Sequence, residues 1–146
     1  MAETDTSQGL SKEERDAVKD RAKELREEAK AGKDRAAGEK AVAKAIAEMP
    51  AGDAKIATRI HEIVTGAAPE LTPKTWYGQP AYADRDGKVV AFFQSADKFK
   101  TRYCTLGFNE SARLDDGEMW ATAFAVTALT PAVEKKITDL IARSVG

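Results

Sequence analysis

Residues 84–108 read DRDGKVVAFFQSADKFKTRYCTLGF, and they point to two neighbouring strands of an antiparallel sheet. The segment opens with a turn that ends in Asp86-Gly87, where glycine supplies the positive φ that a tight hairpin needs. Residues 88–94 are apolar in both strand registers, which predicts a central strand. Residues 100–108 alternate, so the side chains that face the core are expected to be Cys104, Leu106 and Phe108.

The segments on either side extend this pattern into a meander. The residues before it contain Pro69, Pro73, Gly78 and Pro80, which exclude a long helix and favour turns between short extended pieces. Residues 122–128 are rich in strand-forming side chains and predict the last strand. Because the strands follow one another with short links, we expect an α+β fold with an antiparallel sheet.

Three helices are expected to pack on that sheet. A short helix from Glu39 to Met49 should end at Pro50, and a second should begin with Asp53 as its N-cap and end at Gly66. The second presents Ile56, Ile60, Ile63 and Val64 at the spacing of a core-facing helix. Pro131, preceded by Thr130 as N-cap, opens a final helix that turns inward Val133, Ile137, Leu140 and Ile141.

The N-terminal part is densely charged but close to neutral, since residues 12–48 carry 11 basic and 10 acidic side chains. Ser11 and Glu14 have capping-box spacing, which predicts a helix over residues 12–31. Its apolar stripe is narrow and consists of Val18, Ala22, Leu25 and Ala29. The helix either lies solvated on its own domain or on a second copy, or it docks a partner, so self-association through it is one expectation.

Glycines at 32 and 38 predict a break after this helix. We therefore expect a charged helical extension over residues 1–37 and one compact α+β domain over residues 38–146. A chain of this length has room for one core and not for two of ordinary size.

Composition excludes several classes of function. A net charge of −1 gives no general attraction for nucleic acid. Residues 1–9 lack the apolar core of a signal peptide, and no run of 18 apolar residues predicts a membrane span. A single cysteine, Cys104, cannot form an intramolecular disulfide, which fits a reducing compartment. We expect a soluble, cytoplasmic protein.

Catalytic motifs are missing from the sequence. It contains no G-x-S-x-G, no P-loop and no G-x-G-x-x-G, and one histidine with one cysteine leaves few ways to pair a nucleophile with a base. Cys104 is expected to be a buried, inert thiol, and His61 a half-exposed residue beside the apolar stripe of its helix. No enzyme activity and no cofactor are predicted.

Aromatic residues form the strongest candidate site. A shallow ligand groove is predicted from Trp76, Tyr77, Tyr82 and Tyr103, with Gln79 and Lys98 close in sequence. Tryptophan and tyrosine combine a large apolar area with a polar group, which suits ligand contact. The competing interpretation is that these rings cover the open face of the sheet as ordinary packing.

An ordered series of motifs resembles a known family. The motifs are Ala68-Pro69-Glu70, then Thr75-Trp76-Tyr77-Gly78-Gln79-Pro80-Ala81-Tyr82, then Gly87-Lys88-Val89-Val90 before a Phe-rich strand, then Gly107-Phe108 and Ala112-Arg113-Leu114-Asp115-Asp116-Gly117. Together with the closing amphipathic helix they resemble the YdhG-like domain of unknown function over residues 39–146. The resemblance implies an antiparallel sheet covered by helices, an architecture shared with frataxin-like proteins.

Some relatives in that family are described as frataxin-like iron chaperones, which supplies an alternative function. Iron would need hard oxygen ligands, and the weak candidates are Asp115, Asp116 and Glu118. Asp84 and Asp86 are explained first by turn chemistry. The leading hypothesis is a non-enzymatic binding or interaction domain that takes a small ligand or peptide in the aromatic groove; iron binding by surface carboxylates is the alternative.

A central strand also predicts an energetic effect. Phe92 lies in the middle of the apolar run, so Phe92→Ala is expected to cost on the order of 3–5 kcal/mol in stability.

Overall fold

The computed structural model of the protein describes residues 11–146, apart from the side chains of residues 24, 27, 28, 31 and 32. Two compact units meet in sequence between Asp34 and Arg35. The predictions for residues 1–9 lie outside the described residues. In chain order the elements are α1 (Lys12–Ala47), α2 (Ala51–Ala67), β1 (Thr72–Trp76), β2 (Gln79–Ala83), β3 (Val89–Gln94), α3 (Ala96–Phe99), β4 (Cys104–Phe108), β5 (Ala123–Val126) and α4 (Pro131–Ser144).

The sheet is the antiparallel meander that the sequence predicts. Its five strands lie in the order β1-β2-β3-β4-β5, each paired with the next along the chain. The predicted central strand is confirmed, because β3 has two strands on either side. Ala81 pairs with Phe92, and Phe92 pairs with Gly107. The fold is therefore α+β.

The turn between β2 and β3 forms where it is predicted. The Gly87 N–H donates to the carbonyl oxygen of Asp84 at 3.0 Å, and Gly87 has a φ of 82°. One carboxylate oxygen of Asp84 also accepts from the backbone N–H groups of Asp86 and Lys88. Aspartate side chains commonly stabilise turns by accepting from nearby backbone N–H groups. Sequence and local hydrogen bonding thus agree in this turn.

One face of the sheet packs against α2 and α4 and forms the core of the unit that begins at Arg35. The helices contribute Ile60, Val64, Ile137 and Ile141, which are all nearly inaccessible to solvent. The helix-facing strand residues are Tyr82, Phe93, Cys104, Leu106 and Phe108. Thr130 caps α4 as predicted, because its hydroxyl accepts from the Val133 N–H. The helix-facing side is closed.

The predicted break in the first helix is wrong, because α1 continues from Lys12 to Ala47. Gly38 does not end the helix; it allows a close approach. A side-chain carbon at this position would overlap the carbonyl oxygen of Pro73 in β1. Glycine is unfavourable inside a helix when considered alone, so this tertiary contact explains its presence there.

The part of α1 before Asp34 is described by itself. Its N-terminus is capped as predicted, since the Ser11 hydroxyl accepts from the Glu14 N–H at 3.1 Å. Val18 and Leu25, the two large members of the apolar stripe, are 58% and 49% exposed. Self-association through this stripe stays a prediction.

Two further local predictions are corrected. Asp53 is not the N-cap of α2, which begins after Pro50. The Asp53 carboxylate instead accepts from the backbone N–H of Asp97 and from the thiol of Cys104. The fourth strand is shorter than residues 100–108, because Lys100 ends the one-turn helix α3 in a left-handed conformation and β4 begins only at Cys104. The correction at Asp53 reflects contacts between distant segments.

Candidate ligand-binding cleft

A two-residue turn joins β1 to β2 and presents a tyrosine to solvent. Tyr77 and Gly78 have φ values of 52° and 74°, so both turn residues are left-handed, as in a type I′ hairpin. Glycine adopts this conformation readily, whereas a tyrosine is strained there by about 1–2 kcal/mol. Tyr77 is nevertheless 77% exposed. Burial of the ring therefore does not explain the choice of residue.

Lys98 supports this turn from α3. Its ammonium group donates to the Tyr77 carbonyl oxygen at 2.7 Å. The Ser95 hydroxyl caps α3 by accepting from the Lys98 backbone N–H. The structure thus brings Lys98, a candidate site residue, next to Tyr77 through a helix that the sequence did not predict.

Gln79 is buried and connects the same turn to the end of β3. Its side-chain oxygen accepts from the Ser95 N–H at 2.9 Å, and its side-chain nitrogen donates to the Gly78 carbonyl oxygen at 3.0 Å. A buried amide satisfied on both atoms is a strong positional constraint. Gln79 therefore positions the cleft wall more than it offers free polar atoms.

Between the turn, β3 and α3 lies a cleft with a volume of about 170 Å³, lined by Trp76, Tyr77, Gln79, Phe92, Phe93, Gln94 and Phe99. The Trp76 ring meets Tyr77 edge-on at a centroid distance of 4.9 Å and Phe92 at 5.1 Å. Such tilted geometry is preferred by aromatic pairs. The rings form a continuous apolar wall.

Phe92 occupies the open face of the sheet, opposite to the helices. A side-chain carbon on Gly107 would collide with the Phe92 ring, so the ring lies directly over this glycine in β4. Phe92 is only partly buried, whereas its neighbour Phe93 is 1% exposed and faces the core. The absence of a side chain at Gly107 thus leaves the space that the Phe92 ring occupies.

The structure brings together Trp76, Tyr77, Gln79 and Lys98 and separates them from the two other predicted groove residues. Tyr82 is 1% exposed and points to the helices. Tyr103 is half-buried, does not line the cleft, and carries the Arg102 guanidinium over its ring at 5.4 Å. Neither tyrosine joins the aromatic wall.

Sequence reasoning missed four residues of the cleft. Phe92, Phe93, Gln94 and Phe99 line it, although they were not among the predicted site residues. The alternation of β3 could have placed Phe92 and Gln94 on one face, had the register been known. Phe99 comes from the short helix α3, for which the sequence has no periodic signal.

On the closed side, His61 forms an unexpected connection. Its Nδ1 lies 2.9 Å from the Tyr82 hydroxyl and its Nε2 lies 2.8 Å from the Glu39 carboxylate. Burial, together with the negative charge of Glu39, raises the pKa of Tyr82 above its usual value. This series of hydrogen bonds links α1, α2 and β2, and its tyrosine end is inaccessible to solvent.

Cys104 is a buried free thiol, as expected. Burial raises the pKa of Cys104, and the carboxylate of Asp53 beside it acts in the same direction. A thiol is reactive mainly as the thiolate, so this environment disfavours nucleophilic chemistry.

The carboxylates considered for iron lie in an exposed loop. Asp115, Asp116 and Glu118 are all exposed between β4 and β5. Among the described residues, no group of three or more His, Cys, Asp or Glu side chains is arranged to hold a metal ion. Iron binding stays a prediction.

Comparison with known proteins adds no relative to these observations. No family model, no curated protein and no solved structure matches the chain. Within residues 11–146, none of the helices has both the length and the apolar character needed to cross a bilayer. The cleft must therefore be interpreted from its own geometry.

Proposed function

We propose that the protein is a binding domain whose aromatic cleft takes a ligand of about one ring. The observation that carries this proposal is the exposed Tyr77 in a left-handed turn beside Trp76. The Tyr77 ring contacts Trp76 but stays largely exposed, so packing compensates little of the backbone strain, and strained residues cluster at functional sites. The cleft opens onto the strained residue.

The size of the cleft limits its occupant. Its volume of about 170 Å³ is close to that of apolar cavities of about 150 Å³ that accept benzene in other proteins. A single aromatic ring, free or at the end of a side chain, fits such a space. Gln94, a partly buried amide in the lining, adds a hydrogen-bond donor and an acceptor.

Ordinary packing explains only part of the aromatic group. Phe92 covers Gly107, and Trp76 leans on Phe92, so these two rings protect the open face of the sheet. Tyr77 and Phe99 are 77% and 40% exposed, and they cover little of it. The packing interpretation therefore accounts for little of the exposed ring area of Tyr77 and Phe99.

Titration of the protein with single-ring compounds of different charge tests the proposal. Benzyl alcohol, benzylamine and phenylacetate would each be added while the two indole N–H signals are followed by NMR. We expect at least one compound to shift the Trp76 signal saturably and to leave the Trp120 signal in place. Trp120 is 38% exposed and does not line the cleft, so it serves as an internal control.

A matched variant separates the cleft from the fold. Tyr77→Asn removes the ring but keeps a turn residue that accepts the left-handed conformation, since Asn-Gly is favoured in type I′ turns. We expect unchanged or higher stability and loss of the Trp76 response. Absence of a Trp76 response to all three compounds in the unmodified protein would reject the proposed function.

The resemblance to YdhG-like domains stays a proposal about family. The order of strands and the closing helix α4 support it, because the resemblance implies an antiparallel sheet with helices on it. A cytoplasmic location also stays a proposal, supported by the single cysteine.

A further inference from the structure

We infer that the ligand of this cleft is a small aromatic carboxylic acid, with its ring against the aromatic wall and its carboxylate at Lys98. This inference rests on the proposed function and adds the ligand's charge and chemical class. It follows from the distribution of charge around the cleft and from the donors that Lys98 retains.

The Lys98 ammonium lies against the turn whose Tyr77 lines the cleft, and Lys98 itself is not one of the lining residues. It donates to the carbonyl oxygen of Tyr77, and a side chain on Gly78 would meet it at 2.6 Å. An ammonium group has three N–H donors, so two are left for other acceptors. A carboxylate is the acceptor that gains most from such donors, because both partners are charged.

The surroundings of the cleft carry further positive charge. Lys74 is exposed on β1, two residues before Trp76, and lies on the same face of the sheet as Trp76. Lys100 is exposed directly after the lining residue Phe99. Asp97, also exposed on α3, carries the opposing charge, but the described residues that line the cleft include no carboxylate. This balance favours an anionic ligand over a cationic one, although aromatic rings alone would also suit a cation.

The occupant is a free small molecule rather than a folded partner, on the grounds of space. The cleft accommodates about one ring, and the Lys98 ammonium lies 2.7 Å from the carbonyl oxygen of Tyr77, whose exposed ring is at the rim. A ring joined to a carboxylate by a short link spans these two features. Phenylacetate is a suitable probe, and phenylacetamide has nearly the same shape without the charge.

The inference predicts a preference for the charged probe that depends on Lys98. We expect phenylacetate to bind about tenfold more tightly than phenylacetamide, as for a charge-assisted hydrogen bond at a partly exposed site. Lys98→Gln should remove this preference by weakening phenylacetate alone, and Lys98→Arg should retain most of it. Lys88→Gln, which alters an exposed lysine at the opposite end of β3 from Gln94, should leave both affinities unchanged.

The test consists of NMR titrations of both probes against the unmodified protein and these three variants, with the amide spectrum of each variant confirming its fold. If both probes bind equally and Lys98→Gln changes neither affinity, the carboxylate inference is overturned while the binding function stands. If Lys98→Gln weakens both probes alike, Lys98 only supports the turn, and the inference is again overturned. If neither probe reaches Trp76, the carboxylic acid is excluded, and the three-compound titration decides separately whether the cleft binds any ring.

Discussion

The two faces of the sheet both carry aromatic residues, and they differ in what holds those residues in place. On the helix side, Tyr82, Phe93 and Phe108 are at most 5% exposed and are fixed by close packing. On the open side, Tyr77 is largely exposed and its turn is fixed by hydrogen bonds from Lys98 and Gln79. Rings held by polar supports around an open space are accessible to ligand. Rings held by packing contribute to stability.

The contrast is sharpest between two adjacent phenylalanines. Phe93 faces the core, so Phe93→Ala is expected to cost about 3–5 kcal/mol in the free energy of unfolding. Phe92 is partly buried on the open face, so Phe92→Ala should cost only about 1–2 kcal/mol, less than its place in the central strand suggests. Chemical denaturation of both variants measures these values. Equal losses would contradict the assignment of faces.

The contact between the Phe92 ring and Gly107 offers a second test. A methyl group at Gly107 would collide with the Phe92 ring, so Gly107→Ala is expected to destabilise by about 1–3 kcal/mol. In a Phe92→Ala background the obstacle is gone and the same change should cost much less. A double-mutant cycle measures this coupling. Additive effects would show that the ring does not lie over Gly107.

The edge of the sheet near α1 supplies a third test. Gly38→Ala places a methyl group against the Pro73 carbonyl, so we expect a loss of about 1–3 kcal/mol. Gly66 in α2 is the matched control, because a side-chain carbon there meets nothing within 4 Å. Gly66→Ala should stabilise the protein by up to about 1 kcal/mol. If both changes stabilise the protein, the close approach of α1 to β1 at Gly38 is contradicted.

Burial of Tyr82 on the helix-covered face should make the free energy of unfolding depend on pH at high pH. Burial raises the pKa of Tyr82, so the folded protein keeps a proton that the unfolded chain releases above about pH 10. The free energy of unfolding should therefore fall with rising pH in this range, by up to about 1.4 kcal/mol per pH unit. Tyr82→Phe should flatten this dependence. Because burial also raises the pKa of Cys104, both proteins should carry Cys104→Ala; identical slopes would contradict a buried, protonated Tyr82.

The sequence predicts the order of the strands well because the signals are local. The Asp84–Gly87 turn, the Thr130 cap and the central position of β3 all follow from residues close in the chain. Apolar side chains on both faces of β3 leave its register open, however. The distinction between Phe92 and Phe93 therefore needs the pairing with β2 and β4.

The rest of the cleft depends on contacts between distant residues. The Gln79 side chain accepts from the backbone N–H of Ser95. The Asp53 carboxylate accepts from the backbone N–H of Asp97 in α3 instead of capping its own helix. The chain from Glu39 through His61 to Tyr82 likewise joins three separate elements. Such hydrogen bonds leave no periodic pattern in the sequence. For this reason the sequence suggests an aromatic group but does not separate its buried members from those that line the cleft.

The most direct test of the central claim is the measurement of intermolecular NOEs between phenylacetate and the protein. The account predicts NOEs from the ligand ring to Trp76, Phe92 and Phe99, three of the rings that line the cleft, and none to Trp120. Ligand contacts confined to Trp120 and the exposed Met119 would contradict it, because they would place binding in the β4–β5 loop and leave the aromatic cleft as packing alone.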